Sequence, residues 1–323
     1  MRLGKRKPKR SLSDHRDEIA LGAAFVIAIA AVGLVVRALR DRRSMGPAGA
    51  APLAEPDDAR VRAVARDEID AAVAELEQEP LGPENVHEAR RALRRLRTLL
   101  RVARGELGED SFQHEDTTVG DIARTLSASR DAYVMVGTLD DLLAGAGLDP
   151  EPYTELRGAL LANSDAELHV VAANRDAPVS DLRALRGRVS HWQLPADTEA
   201  LQSGMVKVYA RARAAHDAAR RKASTARLHR MRRRSKDLVH ASELLGDPAQ
   251  LQRRAKKLTK VLGRDNDLAV LAEAVQRHHN MLTKKQRKEL LGLIAKRRKV
   301  IKRDALKRAK KLYATKPKDL LTH

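Results

Sequence analysis

Val86 to Val102 reads as one helix whose two faces ask for different surroundings. At about 100° per residue, Ala89, Ala92, Leu93, Leu96, Leu99 and Leu100 gather on one side, and His87, Arg90, Arg91, Arg94, Thr98 and Arg101 on the other. The first side needs a core to cover it. The second is a ladder of cations about 21 Å long at the usual helical rise. Like charges at i, i+3 and i+4 repel by about 0.2–0.5 kcal/mol per pair in an isolated helix. A fold that keeps them together therefore calls for an anion close by, and the guanidinium fork suits phosphate oxygens.

The ladder occurs twice. A shift of 142 residues lays VHEARRALRRLR at 86–97 over LHRMRRRSKDLV at 228–239, placing His87 on His229, Arg90 on Arg232, Arg91 on Arg233 and Arg94 on Lys236. A nearly equal shift puts Leu126, Asp131 and Val134 over Leu262, Asp267 and Val270. Two similar helical halves follow from this, and a pseudo-twofold packing would turn the two ladders toward each other across one cleft. The second ladder is less purely cationic, because Asp237 stands where the first half has Arg95 and Glu243 where it has Arg101.

With Ala, Leu and Arg dominant, aromatic residues at 2% and few alternating β-branched runs, the chain reads as all-α. Residues 1–17 form a basic tail. Residues 18–39 form an expected transmembrane helix, because Ile19 to Val36 runs without a charge and is just long enough to cross a hydrocarbon core of about 30 Å. Residues 40–57 are a Pro/Gly/Ala linker, and 58–323 one domain with halves at about 58–176 and 198–323. About seven basic residues precede the span and about four follow it closely, which by loop charge puts the domain outside the cytoplasm.

Within the domain, helices are expected at Ala59–Glu77, at 86–102 with Gly105 as its stop, and after a cap at Asp116 or Thr117. Others are expected at Pro150–Ala173, Thr198–Lys222, Ala226–Leu245, Pro248–Gln276 and Thr283–Tyr313. Asp176 to Asp197, with Pro178, Gly187 and Pro195, reads as a connection holding at most a short helix.

The formal charge of +20 is concentrated late: residues 203–323 hold about 35 Lys/Arg against about 10 Asp/Glu. Such a field draws polyanions, whether nucleic acid, anionic lipid or polyphosphate. The absence of cysteine excludes disulfides, thiolate catalysis and Cys-ligated metal. His87-Glu88 does not continue into His-Glu-x-x-His, and His278-His279 point about 100° apart on a helix. No metal site, cofactor or catalytic activity is expected. Asp140-Asp141 and Asn266-Asp267 read as caps or inter-helix hydrogen bonds.

At these residues the sequence resembles the CHAD family, the conserved histidine α-helical domain. The resemblance rests on His87-x-x-Arg90-x-x-x-Arg94-Arg95-x-Arg97, Arg130-Asp131, Tyr209-x-Arg211-x-Arg213, His229-x-x-Arg232-x-x-x-Lys236, Leu262-Gly263-x-x-Asn266-Asp267 and the ending LYATKPKDL. It covers about residues 58–323. It implies a helical domain of two pseudo-symmetric halves that binds inorganic polyphosphate on a central basic surface. Carried over, His87, Arg90, Arg94, His229, Arg232 and Lys236 become the polyphosphate contacts. Arg91, Arg101 and Arg233 lie on the same faces, and Arg95, Arg97, Arg211 and Arg213 are further candidates. A polyphosphate ligand would place the domain in the cytoplasm, against the loop-charge reading.

Nucleic acid is the main rival partner, since Lys/Arg-rich helices are also its electrostatic footprint. Two Phe, four Tyr and one Trp can hardly build a base-stacking platform. A further alternative is a scaffold whose basic C-terminal helix lies on anionic lipid.

Overall fold

In the computed structural model of the chain, the described residues are 57–194, 198–245 and 249–320. Nearly all of them are helical and none lies in a strand. The expected basic tail, the transmembrane helix at 18–39 and all but the last residue of the linker lie outside them. Among the described residues, no helix is long and apolar enough to cross a membrane.

The domain opens with a hairpin of α1 (Asp57–Leu76) and α2 (Pro83–Val102). Helix α1 buries Val61, Ala65, Ile69, Ala72 and Leu76, one side chain per turn. Against it α2 buries Val86, Ala89, Leu93, Leu96 and Leu100. Pro83 occupies the first helical position, where the missing N–H costs nothing. Thr98 corrects the face assignment: its hydroxyl donates to the Arg94 carbonyl at 3.0 Å and its side chain is fully buried.

Gly105 is not the stop. Helix α2 ends at Val102 and a single further turn, α3 (Arg104–Leu107), carries Gly105 inside it. The chain reverses at Gly108, whose φ of 76° is open to glycine at no steric cost. Helix α4 (Glu109–Thr125) starts there, so Asp116 lies in mid-helix rather than at a cap.

Next come α5 (Ser127–Ala144), α6 (Thr154–Ala173) and α7 (Asp176–Arg188). The expected connection is thus largely a helix, because Val179, Leu182 and Leu185 recur at helical spacing and bury against α1. Pro178 falls in its first turn, where no donor is required. Helices α8 (Thr198–Arg221), α9 (Thr225–Leu245), α10 (Ala249–Arg277) and α11 (Lys284–Leu312) complete the domain. A capping box starts α11: the Thr283 hydroxyl accepts from the Gln286 N–H at 3.2 Å, and the Thr283 N–H donates to Gln286 Oε1 at 2.7 Å.

Contacts repeat along the chain. Helix α1 packs on α2, α2 on α4 and α5 on α6; later, α8 packs on α9, α9 on α10 and α10 on α11. The single helix α10 stands where the first half has α4 and α5, separated at Leu126. One core lies among α1, α2, α4, α7, α8, α9, the first half of α10 and the C-terminal end of α11. A second lies among α5, α6, the rest of α10 and α11. The two ladder helices, α2 and α9, touch directly.

Candidate functional site

Where α2, α4, α8 and α9 meet they enclose a cleft of about 580 Å³. Arg90, Arg94, Arg97 and Arg101 reach it from one face of α2. Arg104 comes from α3, Arg211 from α8, and Arg233 and Arg234 from α9. Asp116 of α4 and Asp237 of α9 are its acidic members, so eight arginines face two aspartates. The approach of α8 depends on Gly204, where a Cβ would fall 2.0 Å from the Val102 carbonyl oxygen. That contact seats α8 on the end of α2 and brings Arg211, two turns further along, to the cleft wall.

The aspartates brace the arginines. Arg97 grips Asp116 with both arms of its fork, Nε to Oδ1 at 2.9 Å and Nη2 to Oδ2 at 2.6 Å. Its guanidinium lies flat against α4 at Gly120, where an added Cβ would sit 3.2 Å from it. Arg101 reaches Asp116 at 3.3 Å and Asp237 at 3.2 Å, joining α2 to both α4 and α9. Burial pushes the Arg101 guanidinium below its usual pKa, while Asp237 and Asp116 pull the other way. Burial also works to raise Asp116, but the Arg97 hydrogen bond and the charges of Arg101, Arg97 and Arg234 hold its carboxyl below the ordinary value.

Other members are tied more locally. Arg90 Nη1 donates to Ser127 Oγ at 2.6 Å and to the Ala123 carbonyl at 3.1 Å, an oxygen in the last turn of α4 that the break at Leu126 exposes. Arg104 grips Glu109 and stands 4.6 Å over the Phe112 ring. Arg211 and Arg233 make no ion pair among the described residues. For Arg211, burial and then repulsion from Arg104 and Arg234 lower the pKa. Repulsion of this kind between neighbouring guanidinium groups is relieved by a nearby anion.

A family model for the CHAD domain matches residues 63–276. The chain belongs to the CHAD domain family. Its fold is similar to the crystal structure of the CHAD domain from the plant Ricinus communis, with a TM-score of 0.63 at 18% identity over 80% of this chain and 91% of that one. It is also similar to PptA from Streptomyces chartreusis, with a TM-score of 0.57 at 16% identity over 79% and 99%. At such identities the likeness speaks for the fold alone. Among curated proteins, none matches the chain.

Placed in this CHAD fold, the residues singled out in the sequence divide. Arg90, Arg94, Arg97, Arg101, Arg211 and Arg233 line the cleft; His87, Arg91, Arg95, Arg213, His229, Arg232 and Lys236 do not. His87 is half-buried beyond the end of the lining. Arg91 is exposed and held by Glu88 at 2.6 Å. Arg95 points back to α1, with Glu68 at 2.5 Å, and Arg213 lies near Tyr209 and His216.

Of the second ladder, Arg233 lines the cleft with the first, while its other members are engaged elsewhere. His229 Nδ1 lies 2.7 Å from Asn266 Oδ1 on α10, Arg232 is buried against Gly263 of α10, and Lys236 is half-buried. What α9 offers the cleft is Arg233, Arg234 and Asp237, about one residue's rotation further round.

Four charged cleft members, Arg104, Arg234, Asp116 and Asp237, are not among the sequence candidates, Asp237 having entered only as a break in the cationic pattern. Arg234 was legible as the third of the run Arg232-Arg233-Arg234, one of which must face each way. Asp116 could have been found from the acidic character of α4 beside a cationic helix. Arg104 follows the stop of α2 and carried no periodic signal.

Proposed function

We propose that this domain binds inorganic polyphosphate in the arginine cleft, holding the polymer rather than transforming it, and that residues 18–39 tether it to a membrane with the domain on the cytoplasmic side. The observation that carries the reading is the convergence of eight arginines against two aspartates in one cleft of a CHAD domain. Forked donors at several angles suit a flexible chain of phosphates, whose every unit offers oxygens and no other handle. Arg94, Arg211 and Arg233 take the first contacts, and Arg97 and Arg101 add their outer N–H groups. The recurring helix contacts and the repeated ladder support two related halves at about 58–176 and 198–323.

Single-stranded nucleic acid fits less well, since the one ring at the cleft, Phe112, is covered by Arg104. The test is fluorescence anisotropy of labelled long-chain polyphosphate with the full chain in detergent, comparing Arg94→Ala/Arg211→Ala/Arg233→Ala with the parent. At roughly 1.5 kcal/mol for each charge-assisted contact, binding weakens at least tenfold. Unchanged affinity, or duplex DNA displacing polyphosphate at equal phosphate concentration, removes the proposal. A reporter fused after His323 reads the side of the membrane.

A further inference from the structure

The two walls beside the ladder helices differ in the charges their own sequences carry. Helix α4, which packs on α2, carries Glu109, Asp110, Glu115, Asp116 and Asp121 against one arginine, Arg124. Helix α10, which packs on α9 in the same way, carries six Lys/Arg and no acid in its first sixteen residues. Four of these, Arg253, Lys257, Lys260 and Arg264, recur at i, i+4, i+7 and i+11, share one face about 16 Å long, and are exposed. Arg298 of α11 is held by Asp265, the residue after Arg264, at 2.9 Å.

This stripe lies next to the cleft. Two contacts fix the antiparallel register of α9 and α10: His229 beside Asn266 at 2.7 Å, and Lys256 bound to Glu243 at 2.8 Å. Between them Arg233 falls abreast of Arg264 and Lys236 abreast of Lys260. Arg233 is both exposed and a member of the cleft lining, so it stands at the shared rim. On the α4 side the corresponding rim presents Glu109, Asp110 and Asp121, all exposed.

We infer that a polyphosphate chain longer than the cleft leaves it in one direction, over Arg233, and lies along Arg264, Lys260, Lys257 and Arg253 of α10. This rests on the cleft being the polyphosphate site. The stripe then selects for chain length: a short anion fills the cleft and gains nothing from α10, whereas a long one gains four further cations. Helix α4, whose Glu109, Glu115, Asp116 and Asp121 already hold Arg104, Arg188, Arg97 and Arg124, offers the polymer no comparable row of cations at the other exit.

The test uses the full chain and two probes, tripolyphosphate and long-chain polyphosphate, with Arg253→Gln/Lys257→Gln/Lys260→Gln/Arg264→Gln. These side chains are exposed, and circular dichroism checks that the fold is kept. Long-chain affinity falls at least tenfold at low salt and the slope of log K against log salt flattens by about 3. Tripolyphosphate affinity stays within twofold. Equal long-chain affinity for parent and variant overturns the inference, as does an equal loss for both probes, which would mark a general field. Duplex DNA that needs the stripe while long-chain polyphosphate does not also overturns it, and makes α10 a nucleic-acid surface. Failure of the parent to bind tripolyphosphate at all would instead count against the cleft.

Discussion

Replacing Arg101 by Met isolates what the cleft contributes to the fold. The side chain is 15% exposed and its partner Asp237 8%, so the substitution breaks a largely buried pair. Removing one member of such a pair typically costs about 3–5 kcal/mol, because the other charge is left without compensation. Two features lower that figure here. Asp116 keeps the Arg97 fork, at 2.6 and 2.9 Å, and Asp237 keeps Arg234 at 3.1 Å. Methionine also retains most of the apolar stem. The expected loss is about 2–3 kcal/mol. It is read as a lower urea midpoint at unchanged slope, by far-UV circular dichroism on residues 55–323, which form one compact unit. The double variant Arg101→Met/Asp237→Asn should recover part of the loss, since it removes the stranded carboxylate. A single-variant loss below about 0.5 kcal/mol, the range of ordinary surface changes, would refute the view that Arg101 is a structural cross-link.

Two further outcomes follow from the packing of α8. Gly204→Ala places a Cβ against the Val102 backbone, which cannot swing away as a side-chain end would. A destabilisation of about 3 kcal/mol or more is expected, and a melting temperature equal to the parent's would show that α8 does not need this close approach. His216, 6% exposed, stacks on Tyr313 at 5.5 Å, and neither ring nitrogen makes a hydrogen bond, although Nδ1 lies 3.2 Å from Asp217. Burial lowers its pKa; Asp217 opposes this and Arg220 reinforces it. A depressed histidine contributes stability that is present above its unfolded pKa of about 6.5 and lost as pH falls through the folded value. His216→Phe should therefore flatten the fall of stability below about pH 6.5, and an unaltered pH profile would remove His216 as its source.

Much of the helical frame was legible because it is local. The Thr283 cap, the end of α9 near Leu245 and the buried stripe of α2 are fixed by residues within a few turns of one another. The rotation of α9 was not, because it is set by distant partners: Asn266 and Gly263 draw His229 and Arg232 toward α10, which leaves Arg233 and Arg234 for the cleft. Asp116 differs: its sequence neighbourhood suits a cap, but the helix already starts after Gly108, eight residues earlier, which places Asp116 in mid-helix, opposite Arg97. In α7, Pro178 and Gly187 suggest a connection, but burial of Val179, Leu182 and Leu185 against α1 carries the helix through them.

The pairing of Asp116 and Asp237 with the cleft arginines has a kinetic side. An arginine that already holds a carboxylate need not be stripped of all partners when an anion arrives or departs; it passes from one set of oxygens to another. Each hand-over is then a small step rather than one large desolvation. For a polymer touching several such groups, release can proceed unit by unit, and a neighbouring chain can invade as the first withdraws. For the proposed polyphosphate ligand, the two carboxylates would lower the ceiling on affinity and raise the rate of exchange.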